Sequence, residues 1–259
     1  MNHLPFLDSV LREAAARLPG SPGASTTKPG EPSQVVTAAD HEIEELLTAR
    51  ISAAYPGYGI LGEETGLHGE NADAVWVLDP IDGTSNYAAG SPLFGIMAGL
   101  LVGGVPVAGG IALPALGEFY LAQRGEGAFR NGARFRAPTA TGLGTALIAY
   151  GIDGDSEFAQ EDFTIAAALA TRCRGLRMAN SCFDLVQVAT GAYGASLNRA
   201  TRIWDSVAPH VLLEEAGITY TDFAGAPIRY TPLTRAVDTN FTVCAAAPGL
   251  HAQLQHVIH

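Results

Sequence analysis

The first apolar positions of the chain fall at Leu4, Leu7, Leu11, Ala14 and Leu18, a three-to-four-residue period that predicts an amphipathic helix with one buried stripe. A polar stretch rich in Pro, Gly and Ser, PGSPGASTTKPGEPSQ at 19–34, reads as a mobile loop. The helical period then returns, with a cap at Thr37 and with Ile43, Leu46, Leu47 and Ile51 facing inward. Short apolar runs at GILGEE (59–64) and AVWVLDP (74–80) read as buried strands. The run 93–113 is long and uncharged enough to cross a bilayer, yet Gly103-Gly104 sits at a hairpin position and Pro106 and Gly109-Gly110 interrupt any helix, so two strands are expected. Asn131-Gly132 marks another tight turn. From Thr145 onward strands alternate with helices expected at 158–170, 183–190 and 206–216. The pattern thus divides into an α+β half, 1–140, and an α/β half, 141–259.

Composition narrows the partners. With 259 residues, 47% hydrophobic and 16% charged, the chain has apolar surface for a full core and is not a disordered type. A net charge of -11 argues against a nucleic-acid or anionic-membrane partner, because counterion release needs clustered Lys and Arg. Cys173, Cys182 and Cys244 form no CxxC pair, which suggests free thiols in a reducing, cytoplasmic setting. The N-terminus lacks the basic region and continuous apolar core of a signal peptide.

The acidic surplus also supplies candidate chemistry. In VWVLDPIDGTSNY (75–87) an apolar strand delivers Asp79 and Asp82 at its end and turns through Gly83 and Thr84. Hard divalent cations take oxygen ligands, so the two carboxylates and a backbone carbonyl such as that of Ile81 suit magnesium. Backbone N–H groups after Gly83, at a helix start, suit phosphate oxygens. Glu63 and Glu64 leave a second apolar strand, where adjacent acids are costly unless a cation neutralises them. Asp205 opens an amphipathic helix in RIWDSVAPHVLLEEAG. Taken singly these are a turn, a solvated loop and an N-cap; their joint occurrence favours a site.

GEE at 62–64, WVLDPIDGTSNY at 76–87 and IWDSVAPHVLLEEAG at 203–217 resemble the inositol monophosphatase family, with VVTAAD (35–40) and GEGAFRNG (125–132) extending the match over most of the chain. The resemblance implies an α/β protein, a layered α/β/α/β/α sandwich shared with fructose-1,6-bisphosphatases, and a homodimer. It implies two or three Mg2+ ions, replaceable by Mn2+, held by Glu63, Asp79, the Ile81 carbonyl, Asp82 and Asp205, and inhibition by lithium. Thr84, supported by Asp40, and Glu63 would orient the attacking water; Gly83 and Thr84 would cradle the phosphate, and Lys28 is a further candidate. The wall facing the alcohol departs from inositol-specific members, with Asn180 and Ser181 in an altered run and Asn198 where an acid is usual. The expected substrate is a small phosphorylated alcohol, inositol 1-phosphate first, with histidinol phosphate or fructose 1,6-bisphosphate as alternatives. A non-catalytic metal- or phosphate-binding regulator is the alternative of a different class.

Overall fold

The computed structural model describes residues 1–19, 24–28, 31–69, 72–139, 142–152 and 158–259, with backbone alone at 28 and 31–34. The first half runs α1 (Leu4–Arg17), β1 (Ser25–Lys28), β2 (Glu31–Thr37), α2 (Ala38–Ala54), β3 (Gly59–Gly62), β4 (Gly66–His68), β5 (Ala74–Asp82) and α3 (Thr84–Ala88), then β6 (Gly95–Val102), β7 (Val105–Leu113), β8 (Glu118–Gln123), β9 (Gly127–Arg130) and β10 (Ala133–Phe135). The second half runs β11 (Leu147–Gly151), α4 (Ala159–Ala170), β12 (Gly175–Arg177), α5 (Cys182–Ala189), β13 (Ala195–Thr201), α6 (Ile203–Ala216), β14 (Thr219–Thr221), α7 (Leu233–Ala236), β15 (Phe241–Ala246) and α8 (Pro248–Ile258).

The strands form an eight-stranded sheet, β10-β9-β8-β7-β6-β5-β3-β4, and a five-stranded sheet, β12-β11-β13-β15-β14. Strand alternation assigns each face a layer. On β5, Trp76 and Leu78 join Leu7, Leu11, Ile43 and Leu47 of α1 and α2, whereas Val75 and Val77 join Val207, Val211 and Leu212 of α6. On β15, Val243 and Ala245 belong to that same central core, while Cys244 and Ala246 pack with Ile165 and Leu169 of α4 and Leu250 and Leu254 of α8. The result is the expected five-layer α/β/α/β/α sandwich. The larger sheet lies within 59–135 and the smaller within 147–246, while the division expected at 140/141 falls outside the described residues. No helix among the described residues is long and apolar enough to cross a membrane.

Two details matter for the site. The stretch expected as a loop instead carries the ribbon β1–β2, in which Thr26 pairs with Val36 and Thr27 with Val35. Cross-strand pairs of β-branched residues outweighed the Pro/Gly/Ser composition that suggested a loop. The second detail is the close seating of α6 on the large sheet. A Cβ on Gly99 would fall 2.6 Å from the Val207 side chain, and one on Gly109 would fall 2.6 Å from the Ala208 carbonyl oxygen. Those two strand glycines let the helix that carries Asp205 approach the strand that carries Asp79 and Asp82.

Gly109→Ala is therefore expected to displace backbone rather than a flexible side chain, and to destabilise the protein by about 1–3 kcal/mol. Urea unfolding measures it; an unchanged midpoint would show that α6 does not depend on that gap.

Candidate metal centre

A plain strand would send Asp79 and Asp82 to opposite faces, because their spacing is odd. The ladder between β5 and β6 prevents this: Asp79 pairs with Met97 but Asp82 pairs with Gly95, so β5 carries one extra residue between them. A β-bulge of this kind turns the strand end and re-aims its side chains. Asp205 arrives from the other direction, as the third residue of α6, where its Oδ2 accepts the Arg202 backbone N–H at 2.7 Å. The helix N-terminus favours that negative charge. Carboxylate oxygens of Asp79, Asp82 and Asp205 then lie within 4.8 Å of one another.

Asp79 is 1% exposed, and its Oδ1 has no hydrogen-bond partner. Burial, followed by the charges of Glu63, Asp82 and Asp205, holds its carboxyl well above the usual range. Burial likewise raises Asp82 to about 6, aided by the charges of Glu63 and Asp184 and opposed by hydrogen bonds from Cys182. One of those is donated by the Cys182 backbone N–H to Asp82 Oδ2. A buried orphan acceptor among like charges, with Glu63 close enough to raise both, is the donor set a hard cation requires.

Around this cluster the other expected residues take distinct positions. Asp40 is fully buried, and its Oδ2 accepts the Thr37 backbone N–H at 2.8 Å and the Thr37 hydroxyl at 2.6 Å. Burial raises its carboxyl, against the lowering effect of these bonds. Thr84 Oγ1 lies 2.8 Å from the Ile81 carbonyl and 3.2 Å from Asp40 Oδ1. Gly83, at φ +79°, is the N-cap of α3, and a Cβ there would sit 2.8 Å from that of Ser181. Ser181 itself caps α5, its hydroxyl accepting the Phe183 N–H at 3.3 Å.

Asn180, at φ +53°, spends its amide on Ile152, accepting from that N–H at 3.1 Å and donating to that carbonyl at 2.8 Å. Asn198 accepts the Ala200 N–H at 2.8 Å, and its amide nitrogen fills the space beside Gly151. The side chain of Lys28 lies outside the described residues.

Sequence reasoning missed how tightly the turn at 179–184 is bound to the turn at 82–86. Besides the Cys182–Asp82 bond, Asn86 donates across to the Ala179 carbonyl at 2.7 Å, while within the second turn Asp184 accepts the Ala179 N–H at 3.1 Å. Burial raises Asp184 to about 6. The acid at the third position of α5, after the capping Ser181, was the available signal.

The chain is similar to known proteins over most of its length. The model of the inositol monophosphatase family matches residues 9–259. An inositol-1-monophosphatase of Mycolicibacterium smegmatis is 36% identical over 86% of this chain and 79% of its own. A histidinol-phosphatase of Chlorobaculum parvum is 34% identical over 73% of each chain. The solved IMPase of Thermotoga maritima superposes with a TM-score of 0.88 at 26% identity, over 100% of this chain and 97% of that one.

Since the folded-state value of Asp82 is raised, the metal-free fold holds a proton there that the unfolded chain releases, and stability falls as pH rises from about 4 through about 6. Asp82→Asn removes this penalty. At pH 7 without metal the variant is expected to be more stable by on the order of 2 kcal/mol, the advantage vanishing towards pH 4. Urea unfolding across that range measures the difference, and a constant gap would remove Asp82 from the coupled cluster.

Proposed function

The chain belongs to the inositol monophosphatase family, and from that premise we propose that it is a Mg2+-dependent phosphomonoesterase acting on a small phosphorylated alcohol. The observation that carries the reading is the buried, unpartnered Asp79 Oδ1 beside Asp82 and Asp205. In this proposal Glu63, Asp79, the Ile81 carbonyl, Asp82 and Asp205 hold two or three Mg2+ ions, with Mn2+ as a substitute. Such ions supply Lewis-acid stabilisation of the phosphoryl and leaving oxygens and make water nucleophilic near neutral pH.

The protein groups do the rest by position. The Gly83 and Thr84 backbone N–H groups hold phosphate oxygens where the bulged strand ends. The Ile81 carbonyl would be one of the groups holding a cation, and the Thr84 hydroxyl would give its hydrogen to Asp40 Oδ1, 3.2 Å away. Its lone pairs then accept a hydrogen from the attacking water and fix that water in line with the scissile bond. Asp40 cannot swing away, because Thr37 holds its other oxygen. Glu63 receives the second hydrogen of the same water. As the water oxygen bonds to phosphorus and the ester P–O bond breaks, the proton that Glu63 takes from the water passes through solvent to the departing alkoxide, giving alcohol and phosphate without a covalent phosphoenzyme.

Relatives named for inositol phosphate and for histidinol phosphate keep both alcohols in view, with fructose 1,6-bisphosphate as a third. The wall of Asn180, Ser181 and Asn198 is neutral. The Asn180 and Asn198 oxygens each already accept one backbone N–H, from Ile152 and Ala200, so each offers a single neutral lone pair where a carboxylate would give sugar hydroxyls several charged ones. Reduced selectivity for inositol 1-phosphate follows. The same reading makes the protein a cytoplasmic homodimer, in keeping with three free cysteines.

Phosphate release from inositol 1-phosphate is expected with Mg2+ or Mn2+, to vanish in excess chelator, and to fall under lithium. Full turnover in chelator would sink the proposal. Asp82→Asn is expected to lose several kcal/mol of transition-state stabilisation at saturating Mg2+. For selectivity, kcat/KM for inositol 1-phosphate, histidinol phosphate, fructose 1,6-bisphosphate and glycerol 2-phosphate is compared in wild type and Asn198→Glu. A wild type already devoted to inositol 1-phosphate, with no change in the variant, would place Asn198 away from the alcohol.

A further inference from the structure

Glu44 lies one helical turn after Asp40 on α2, and both side chains are fully buried. Residues at this spacing share a helix face. Asp40 reaches the turn at Thr84, whereas Glu44 reaches the turn that follows β3. Its Oε2 accepts the Glu64 backbone N–H at 3.0 Å, and its Oε1 accepts the Thr65 N–H at 2.9 Å. A third amide in the series is fixed as well, since the Glu63 N–H donates to the Leu78 carbonyl at 3.2 Å. Three consecutive peptide groups are therefore pinned, the first by β5 and the next two by one carboxylate. The backbone on both sides of the Glu63 side chain is thereby held in place.

The fit is close on the other side too. A Cβ on Gly62 would lie 2.3 Å from Glu44 Oε1 and 2.6 Å from Oε2, so the glycine before Glu63 leaves the space the carboxylate fills. A buried carboxylate accepting two backbone N–H groups forms charge-assisted bonds, the stronger kind. It occupies them fully, with no surface exposure left for a solvent role.

We infer that Glu44 is a positioning residue for the reaction: it aims Glu63 at the metal centre by holding the two peptide groups that follow. The inference rests on the proposed metal-dependent hydrolysis and adds to it a residue that touches neither substrate nor ion. Through Asp40 and Glu44 a single helix sets the relative placement of the Thr84 and Glu63 turns.

Two variants test it from opposite sides. Glu44→Gln sets an amide N–H2 against one of the two backbone N–H groups. Gly62→Ala keeps the Glu44 charge and pushes the carboxylate aside with a single methyl group. In both, hydrogen exchange at the Glu64 and Thr65 amides of the metal-free protein is expected to accelerate. Binding of Mg2+ and of Mn2+, by calorimetry, is expected to weaken about 10- to 100-fold, the range for lost partners of metal ligands. The Mg2+ concentration for half-maximal phosphate release should rise accordingly, while KM for substrate at saturating Mg2+ stays put. A role confined to general stability would lower the unfolding midpoint without moving the metal dependence. Wild-type amide protection and metal affinity in both variants would overturn the assignment. Should wild-type protein bind Mg2+ yet release no phosphate, the hydrolase reading fails, and exchange with calorimetry still decides Glu44.

Discussion

Mutual repulsion among acidic groups brought together in a buried place is the constraint that organises this molecule. Asp79 is buried where it meets the half-buried Asp82 and Asp205, with Glu63 near, and Asp79 and Asp82 are held above their ordinary range in consequence. Such a cluster persists only if the surrounding structure fixes each member independently. The bulge on β5 turns two carboxylates to one side, the N-terminus of α6 holds Asp205 through the Arg202 N–H, and the Cys182 N–H holds Asp82. The rigidity is built from backbone donors, which cannot rotate out of the way as side chains do.

The same device recurs at different points of the site. Asp40 and Asp205 are each the third residue of a helix, and each returns an oxygen to the backbone N–H at its helix start. Both helices are thereby capped by acids, Asp205 within the acidic cluster and Asp40 bonded to Thr84 beside it, so one side chain serves both helix initiation and the shape of the candidate site. Helix α2 joins these two uses, since a carboxylate one turn further along anchors the loop bearing Glu63.

Much of this was legible in the sequence because it follows from periodicity and punctuation. The apolar run of β5, the hairpin at Gly103-Gly104, the cap at Thr37 and the acidic strand ends all carry local signals, and the family resemblance tied them into one candidate site. The bulge left no local trace, because the extra residue between Asp79 and Asp82 is defined by the partner strand and not by β5 itself. The β1–β2 ribbon was hidden beneath loop-like composition. Commitments of Asn180 to Ile152 and of Asn198 to Ala200 depend on backbone groups whose placement no residue pattern announces. Glu44 stands between Glu42 and Glu45 with no pattern to set it apart, and only the fold reveals it as buried.

The seating of α6 between the two sheets has a consequence for how the protein comes into being. Asp79 and Asp82 leave the ribosome with the first half of the chain, but their partner Asp205 is borne by α6 in the second half, which packs against the large sheet. During synthesis the incomplete chain holds acids with no counterpart and an apolar sheet face with no cover, the kind of surface that chaperones bind and aggregation exploits. A chain that stops before α6 lacks Asp205 and leaves that sheet face uncovered.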